Sequence, residues 1–463
     1  MISLQLSEIA EVVGGKLHGQ DVLVTGSVET DSRLIGTGSL FVAKPGEVTD
    51  GHNFVEAALS NGATAAIVQR AVDVRIPQIV VEDSVNALGM LARHVLSVLR
   101  ESGNLTVIGV TGSNGKTSTK NMLRATLSRF GNVIAPIESF NNEVGAPYSM
   151  LQANYETDYL VVELGAGGVG SIDYLAQMCR PDVAVELKVG LAHVGEFGGI
   201  ETTYKIKSEL VRAVPDAKLI FNIDDPYVQQ MAEFARGEVT WFGLNDEAEI
   251  SARSIHIGLA GTSFELMVDG QQHTMVTLQI IGEHQVMNAL ATLAVIKRLG
   301  LDLNEAIEAL EDLPLAERWR MQIMPGPNGS TIINDAYNAS PDSTRAALQT
   351  LATLGRQGHR TIAVLGEMAE LGAFSAEQHD YIGRLAVRLN IDRVVVVGTG
   401  AKLIHMGASQ EGSWDGESTY CESIAEALEQ VRGWLGSGDI ALVKSSKSAE
   451  LRFLGDALAE VAE

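Results

Sequence analysis

The chain has 463 residues, enough for about three domains of about 150 residues each. Apolar residues make up 46% and charged residues 20%, the balance of a globular protein with true cores, not of a disordered or fibrous chain. A formal charge of −24 excludes nucleic acid and anionic membrane as main partners, because phosphate backbones attract basic faces, but leaves open a phosphorylated small molecule that needs only local donors.

The opening segment, MISLQLSEIAEVVGG, places Glu8 and Glu11 where a secretory signal would carry positive charge and then an apolar run. No stretch of 18 uncharged apolar residues follows. Only Cys179 and Cys421 are present, with no disulfide framework and no CxxC spacing. A cytoplasmic protein without membrane insertion is expected. Short Val- and Ile-rich runs lie at 65–68, 78–81, 105–110, 159–164, 182–189, 219–222, 361–365, 393–397 and 440–443. They alternate with helix-like stretches such as 84–100 and 117–130. Continuous apolar strands between helices imply parallel sheets covered on both faces, so the fold class is α/β. The stretch 246–277 alternates polar and apolar groups and reads as a β-hairpin insert. Helix-like segments at 285–299 and 303–310 precede a break at 311–317 that contains Pro314, and a polar break, RESGN, occupies 100–104. Domains of 1–102, 103–313 and 314–463 follow.

The segment TVIGVTGSNGKTS at 106–118 follows a strand and opens a helix. Gly112 and Gly115 let successive backbone amides converge on phosphate oxygens without interference from a Cβ. Lys116 can reach the β- and γ-phosphates of ATP, and the Thr117 hydroxyl can ligate Mg²⁺. Ser113, Asn114 and Ser118 complete the loop. The usual spacing would place glycine at 110, where this chain has Val110; its glycines stand at 109, 112 and 115. Nucleotide binding follows from these residues; the reaction does not.

The loop TGSNGKTS at 111–118 resembles that of the Mur ligases, the ATP-dependent amide-forming enzymes of peptidoglycan precursor synthesis. Further resemblances run in one order along the chain: SFNNEVGAP at 139–147, ELGAG at 163–167, GLAHVGEFGG at 190–199, KSEL at 207–210, NIDDP at 222–226, GEHQVMNAL at 282–290, NDAYNASPDS at 334–343 and GEMAELG at 366–372. The resemblance implies three parts: a small N-terminal α/β domain for a UDP-linked substrate, a central phosphate-loop domain with a mostly parallel sheet, and a Rossmann-like C-terminal domain for nucleotide and the incoming dipeptide. SFNN and NDAYNASPDS are similar to the branch that adds D-alanyl-D-alanine to UDP-N-acetylmuramoyl-tripeptide. A relative adding a single amino acid, or a silent nucleotide-binding scaffold on the same fold, are the other readings. The chain departs from the family pattern at Lys188 and Ser340, where Asn is usual, and at Ser445 in VKSSK, where VKGSR is commoner.

Joining a carboxylate to an amine needs activation, so the resemblance implies an acyl phosphate, with charge neutralisation by Lys116 and by Mg²⁺ at Thr117. Glu163 ends an apolar strand at the carboxyl edge of the sheet, where ligands bind, and suits a Mg²⁺ ligand; a solvated strand-end carboxylate is the alternative. A lone histidine such as His193 is more often structural, and Lys207 reads as one of two lysines on an amphipathic helix. The resemblance implies that His193 is a second Mg²⁺ ligand and that Lys207 is carbamylated by CO₂, which turns a cation into an anionic ligand. It further implies adenine contact by Asn288, ribose and base contact by Asp335 and Tyr337, and a phosphate or ribose contact by Arg320. Ser32, Arg33 and Lys44 match the UDP end of the substrate site, and Asn141 and Asn142 the muramoyl-peptide. A monomer that closes its domains around ATP is expected.

Overall fold

The computed structural model describes the chain except residues 47–48, 104, 137–138, 315–317, 413–417 and 460–463, so the last residue of the 100–104 break and much of the 311–317 break lie outside the described residues. Three large sheets follow one another along the chain. Residues 16–80 form a five-stranded sheet, parallel except at the edge, where Lys16–His18 runs antiparallel to Gln78–Val80. Residues 106–278 form a nine-stranded sheet, and 322–444 a six-stranded one whose only antiparallel pair among the described strands is Gln322–Pro325 with Thr331–Asn334.

In the nine-stranded sheet, Thr106–Thr111 lies between Tyr159–Glu163 and Val183–Glu186, all parallel. The chain moves first to one side of this strand and then to the other. The crevice at its carboxyl end is therefore the place where an open α/β sheet binds ligands. The expected strand at 182–189 is shorter, Val183–Glu186. Beyond it the backbone leaves the ladder: Val189 N–H donates to Asp225 Oδ2 at 3.1 Å, and the Lys188 carbonyl accepts from Ser113 N–H at 2.8 Å.

The insert also differs from expectation. It holds three antiparallel strands, Ile250–Gly258, Gly261–Val268 and Gln271–Leu278, not two. The dipeptide Asp269-Gly270, with φ of 50° and 75°, makes the second two-residue turn. Positive φ at both positions matches the twist of a tight hairpin.

Helix Ser84–Glu101 starts on Asp83, whose carboxylate accepts from Val85 and Asn86 N–H at 2.8 and 3.1 Å. Its apolar positions Ala87, Leu88, Leu91, Ala92, Val95, Leu96 and Leu99 recur at helical spacing and are all buried. They join one continuous core with Leu40 and Ile67 of the first sheet, with Val107 and Leu160 of the second, and with Met150 and Leu175 on helices Gly145–Met150 and Ser171–Cys179. The third sheet has cores of its own, one of which takes in Val194 and Ile281 from the nine-stranded part.

Candidate active site

The phosphate loop is built as its glycines require. Gly115 has φ +89°, and a Cβ there would lie 2.5 Å from Asn288 Oδ1. Gly109, the glycine out of register, has a different task. It sits inside the strand, where a Cβ would come within 3.1 Å of Pro181. Lys116 Nζ donates to the Gly112 carbonyl at 2.8 Å. Burial pulls its pKa below the usual lysine range, with Glu163 opposing and Arg320 adding to the shift.

Thr117 faces a ring of oxygens. Its Oγ1 donates to Glu163 Oε2 at 3.1 Å and lies 2.7 Å from Ser139 Oγ, while Asn141 Nδ2 donates to Glu163 Oε1 at 2.8 Å. Glu163 and Thr117 are 1% and 5% exposed, so these hard donors meet in a nearly dry place. That donor set fits Mg²⁺.

His193 begins the short helix Val194–Phe197 with φ 58°. Its Nδ1 lies 2.6 Å from Glu370 Oε2 and 3.6 Å from Glu196 Oε2. Burial, then Lys116, lowers its pKa, so the ring favours its neutral, metal-binding form. The three ligand atoms lie within 4.8 Å of one another. Lys207, on helix Ile200–Ala213, is buried with Nζ 3.4 Å from Thr111 Oγ1. Burial and Lys116 hold its ammonium well below the usual lysine range. An ammonium there would repel a cation, whereas a neutral amine is the form that captures CO₂, and a carbamate would offer a hard oxygen donor.

The third sheet closes over this crevice. Arg320 Nη2 donates to Thr117 Oγ1 at 3.3 Å, and its guanidinium stacks 4.1 Å from the Tyr337 ring. Asp335 Oδ2 pairs with the buried Lys444 Nζ at 2.6 Å, and Oδ1 accepts from Met321 N–H at 3.0 Å. Ser340 Oγ donates to Asn114 Oδ1 at 3.2 Å. Asp342 accepts from Leu191 N–H at 2.8 Å and from Arg345 at 2.6 Å, with Lys188 Nζ 3.6 Å away.

Three stretches match Mur ligase domains: 25–96 the Mur ligase family catalytic domain, 110–296 the Mur ligase middle domain, and 319–447 the Mur ligase glutamate ligase domain. A UDP-N-acetylmuramoyl-tripeptide--D-alanyl-D-alanine ligase of Mycobacterium bovis is 41% identical, covering 99% of this chain and 98% of the relative. The chain belongs to the Mur ligase family. The Escherichia coli ligase of the same name is 35% identical over 86% of each chain. Crystal structure I of MurF from Acinetobacter baumannii superposes with TM-score 0.89 at 31% identity, covering 99% of both chains. A MurF ligase from Thermotoga maritima in complex with ADP gives 0.82 at 28% identity, covering 94% of this chain and 98% of that one.

Within the family fold, the structure brings together Lys116, Thr117, Glu163, Arg320 and Asn141, with Tyr337 behind Arg320. Ser113 braces the loop from behind: Gly190 N–H donates to its Oγ at 2.8 Å. Asn288 is buried against the loop, accepting from Thr119 and donating to Gln285. Asn142 Oδ1 accepts from Gly145 N–H at 2.8 Å, just ahead of helix Gly145–Met150. Ser118 lies half-buried in the helix after the loop. Arg33 is exposed and tied to Asp31 at 2.6 Å, Ser32 is buried, and Lys44 is half-buried. Among the described residues, no hydrogen bond or ion pair links these three to the phosphate loop.

Four residues escaped the sequence reading. Ser139 stood in the quoted SFNN motif and Glu370 in GEMAELG, yet neither motif says which atom turns inward. Asp342, in NDAYNASPDS, pairs locally with Arg345, but its bond to Leu191 N–H arises only through tertiary contact. Glu186 carried a readable signal, a charge inside an apolar strand. It is 0% exposed, both its carboxylate oxygens lack a partner, and burial raises its pKa well above the usual carboxylate range while Lys207 opposes.

Proposed function

We propose that the chain is an ATP-dependent ligase that adds D-alanyl-D-alanine to UDP-N-acetylmuramoyl-tripeptide in peptidoglycan precursor synthesis. The observation that carries this reading is the meeting of Lys116, Thr117 and Glu163 with Arg320 from the third sheet, on a chain that matches such ligases over nearly its whole length. The ADP in the Thermotoga maritima relative supports ATP as the nucleotide.

A carboxylate is a poor electrophile, and phosphorylation remedies this. A terminal carboxylate oxygen of the tripeptide attacks the γ-phosphorus, the bond to the bridging oxygen breaks, and ADP leaves. The dipeptide's amine then attacks the acyl carbon, loses a proton, and inorganic phosphate departs. Both steps crowd anions together, so the cations Lys116 and Arg320 supply positioning and neutralisation. Thr117 and Glu163, the latter oriented by Asn141, would hold one Mg²⁺; His193 and carbamylated Lys207 would hold a second. The ions, when bound, neutralise the phosphate oxygens. Asp335, Tyr337 and Asn288 serve the nucleoside side, and Ser32, Arg33 and Lys44 the uridine diphosphate end. Residues 1–102, 103–313 and 314–463 then act as UDP-substrate, ATP and dipeptide domains. No described helix is long and apolar enough to cross a membrane.

The test is phosphate release from ATP and UDP-muramoyl-tripeptide with D-alanyl-D-alanine, L-lysine, diaminopimelate or no acceptor. Release only with D-alanyl-D-alanine is expected. Release independent of it sinks the proposal.

A further inference from the structure

Beside Glu163 lies a cavity of about 470 Å³ whose wall includes Asn141, Asn142, Glu143, Ser171 and Tyr174 and the glycine-rich turn after the strand. Asn141 belongs both to this wall and to the Glu163 contact, so the cavity opens next to the place where the tripeptide carboxylate would be activated. A tripeptide with its terminal carboxylate beside Glu163 would have the side chain of its third residue, which bears that carboxylate, close enough to fill it.

The charge of the wall is one-sided. Glu143 is exposed on it, and among the described residues neither lysine nor arginine lines it. A turn rich in glycine beside a helix start would ordinarily offer amides to an anion. Here those amides are taken. Gly170, Ile172 and Asp173 N–H all donate to the Glu209 carboxylate, at 2.7, 3.1 and 3.1 Å. Gly167 and Gly168 N–H donate to Ser171 Oγ at 3.0 and 3.3 Å. The Tyr174 hydroxyl is held above its usual pKa, chiefly by burial and then by the nearby charges of Asp83 and Glu143. The cavity thus offers a carboxylate to a cation, and among the described residues no cationic side chain to an anion.

We propose that this cavity selects a third residue whose side chain ends in an ammonium alone, as in lysine, over one that adds a carboxylate, as in diaminopimelate, with Glu143 as the specificity-determining residue. The inference rests on the ligase reading above and deepens it. Complementary charge favours the right partner and like charge rejects the wrong one.

The experiment measures kcat/KM for phosphate release with D-alanyl-D-alanine and UDP-muramoyl-tripeptides carrying lysine, Nε-acetyl-lysine or diaminopimelate at the third position. Lysine is expected to exceed the other two by about tenfold, mainly through KM. Glu143→Gln should narrow the gap and Glu143→Lys should reverse it. Equal values for lysine and diaminopimelate, or a preference that Glu143→Lys leaves unchanged, overturn the inference and leave the ligase reading standing. No release with any of the three overturns that reading and the inference with it.

Discussion

Nδ1 of His193 lies 2.6 Å from Oε2 of Glu370, across the junction between the nine-stranded and six-stranded sheets. One residue stands on the loop after Val183–Glu186, the other beyond strand Thr361–Leu365. Closing the third sheet over the crevice therefore reaches the His193 group directly. With the side chains 34% and 46% exposed, the pair is worth at most about 1 kcal/mol. Glu370→Gln should raise the KM for ATP by no more than about fivefold, read from initial rates of phosphate release.

The same junction has a tighter point. A Cβ on Gly195 would lie 2.2 Å from the backbone of Leu371 and Gly372. Gly195→Ala should act as a wedge, costing about 1–3 kcal/mol of closure and lowering kcat/KM by about tenfold or more. Thermal stability of the separate cores should hardly change. A variant with wild-type kcat/KM would show that catalysis does not need this contact.

Glu186 ties pH to stability. Because burial raises its folded-state pKa above the unfolded one, the native state holds its proton more firmly. Its contribution therefore declines as pH rises above about 4.3, the ordinary glutamate value. Glu186→Gln removes the ionisable group and should stabilise the fold by about 1–3 kcal/mol at pH 8, with a smaller gain at pH 5. Chemical denaturation at both pH values reads the difference. Destabilisation at pH 8 would mean that Glu186 is ionised and paired with Lys207.

Lys207→Ala should cut phosphate release by about a hundredfold. Short carboxylic acids should restore part of it by supplying the anion that a carbamate would provide. Direct evidence is a carbamate ¹³C signal on ¹³CO₂-equilibrated wild-type enzyme, absent in the variant.

Asp342 and Lys188 separate a strong contact from a weak one. Asp342 has a side chain only 10% exposed and accepts from Leu191 N–H, so Asp342→Ala should cost about 1–3 kcal/mol and weaken nucleotide binding. Lys188 is 40% exposed and 3.6 Å distant, so Lys188→Asn should change stability by less than about 1 kcal/mol. Calorimetric titration with an ATP analogue compares the two.

What could be read in advance depended on range. The phosphate loop and its flanking strand and helix were legible because their demands are local: glycines at set φ, one lysine, one hydroxyl. Apolar strands such as Thr361–Leu365 and Arg393–Val397 were legible because burial on both faces leaves a continuous run. The partners of Glu163 were not legible: Asn141 and Ser139 share the SFNN motif, but it implied a muramoyl-peptide contact for Asn141 and no role for Ser139. Asn288 shows the limit: its residue type fits a base contact, but its bonds to Thr119 and Gln285 follow from packing that no local pattern encodes. Glu370 and Gly195, like the Asp342 contact to Leu191, act where two sheets approach, and no local pattern encodes that approach.

The shared core beneath helix Ser84–Glu101 carries a consequence for how the chain can be divided. Leu88, Leu91 and Leu96 touch neither sheet alone; they belong to a core that continues into Val107, Leu160 and Leu175. The first two sheets should therefore melt as one cooperative unit, and a fragment beginning after residue 102 would present a raw apolar face to water. The boundary at residue 102 is therefore not a boundary in the core.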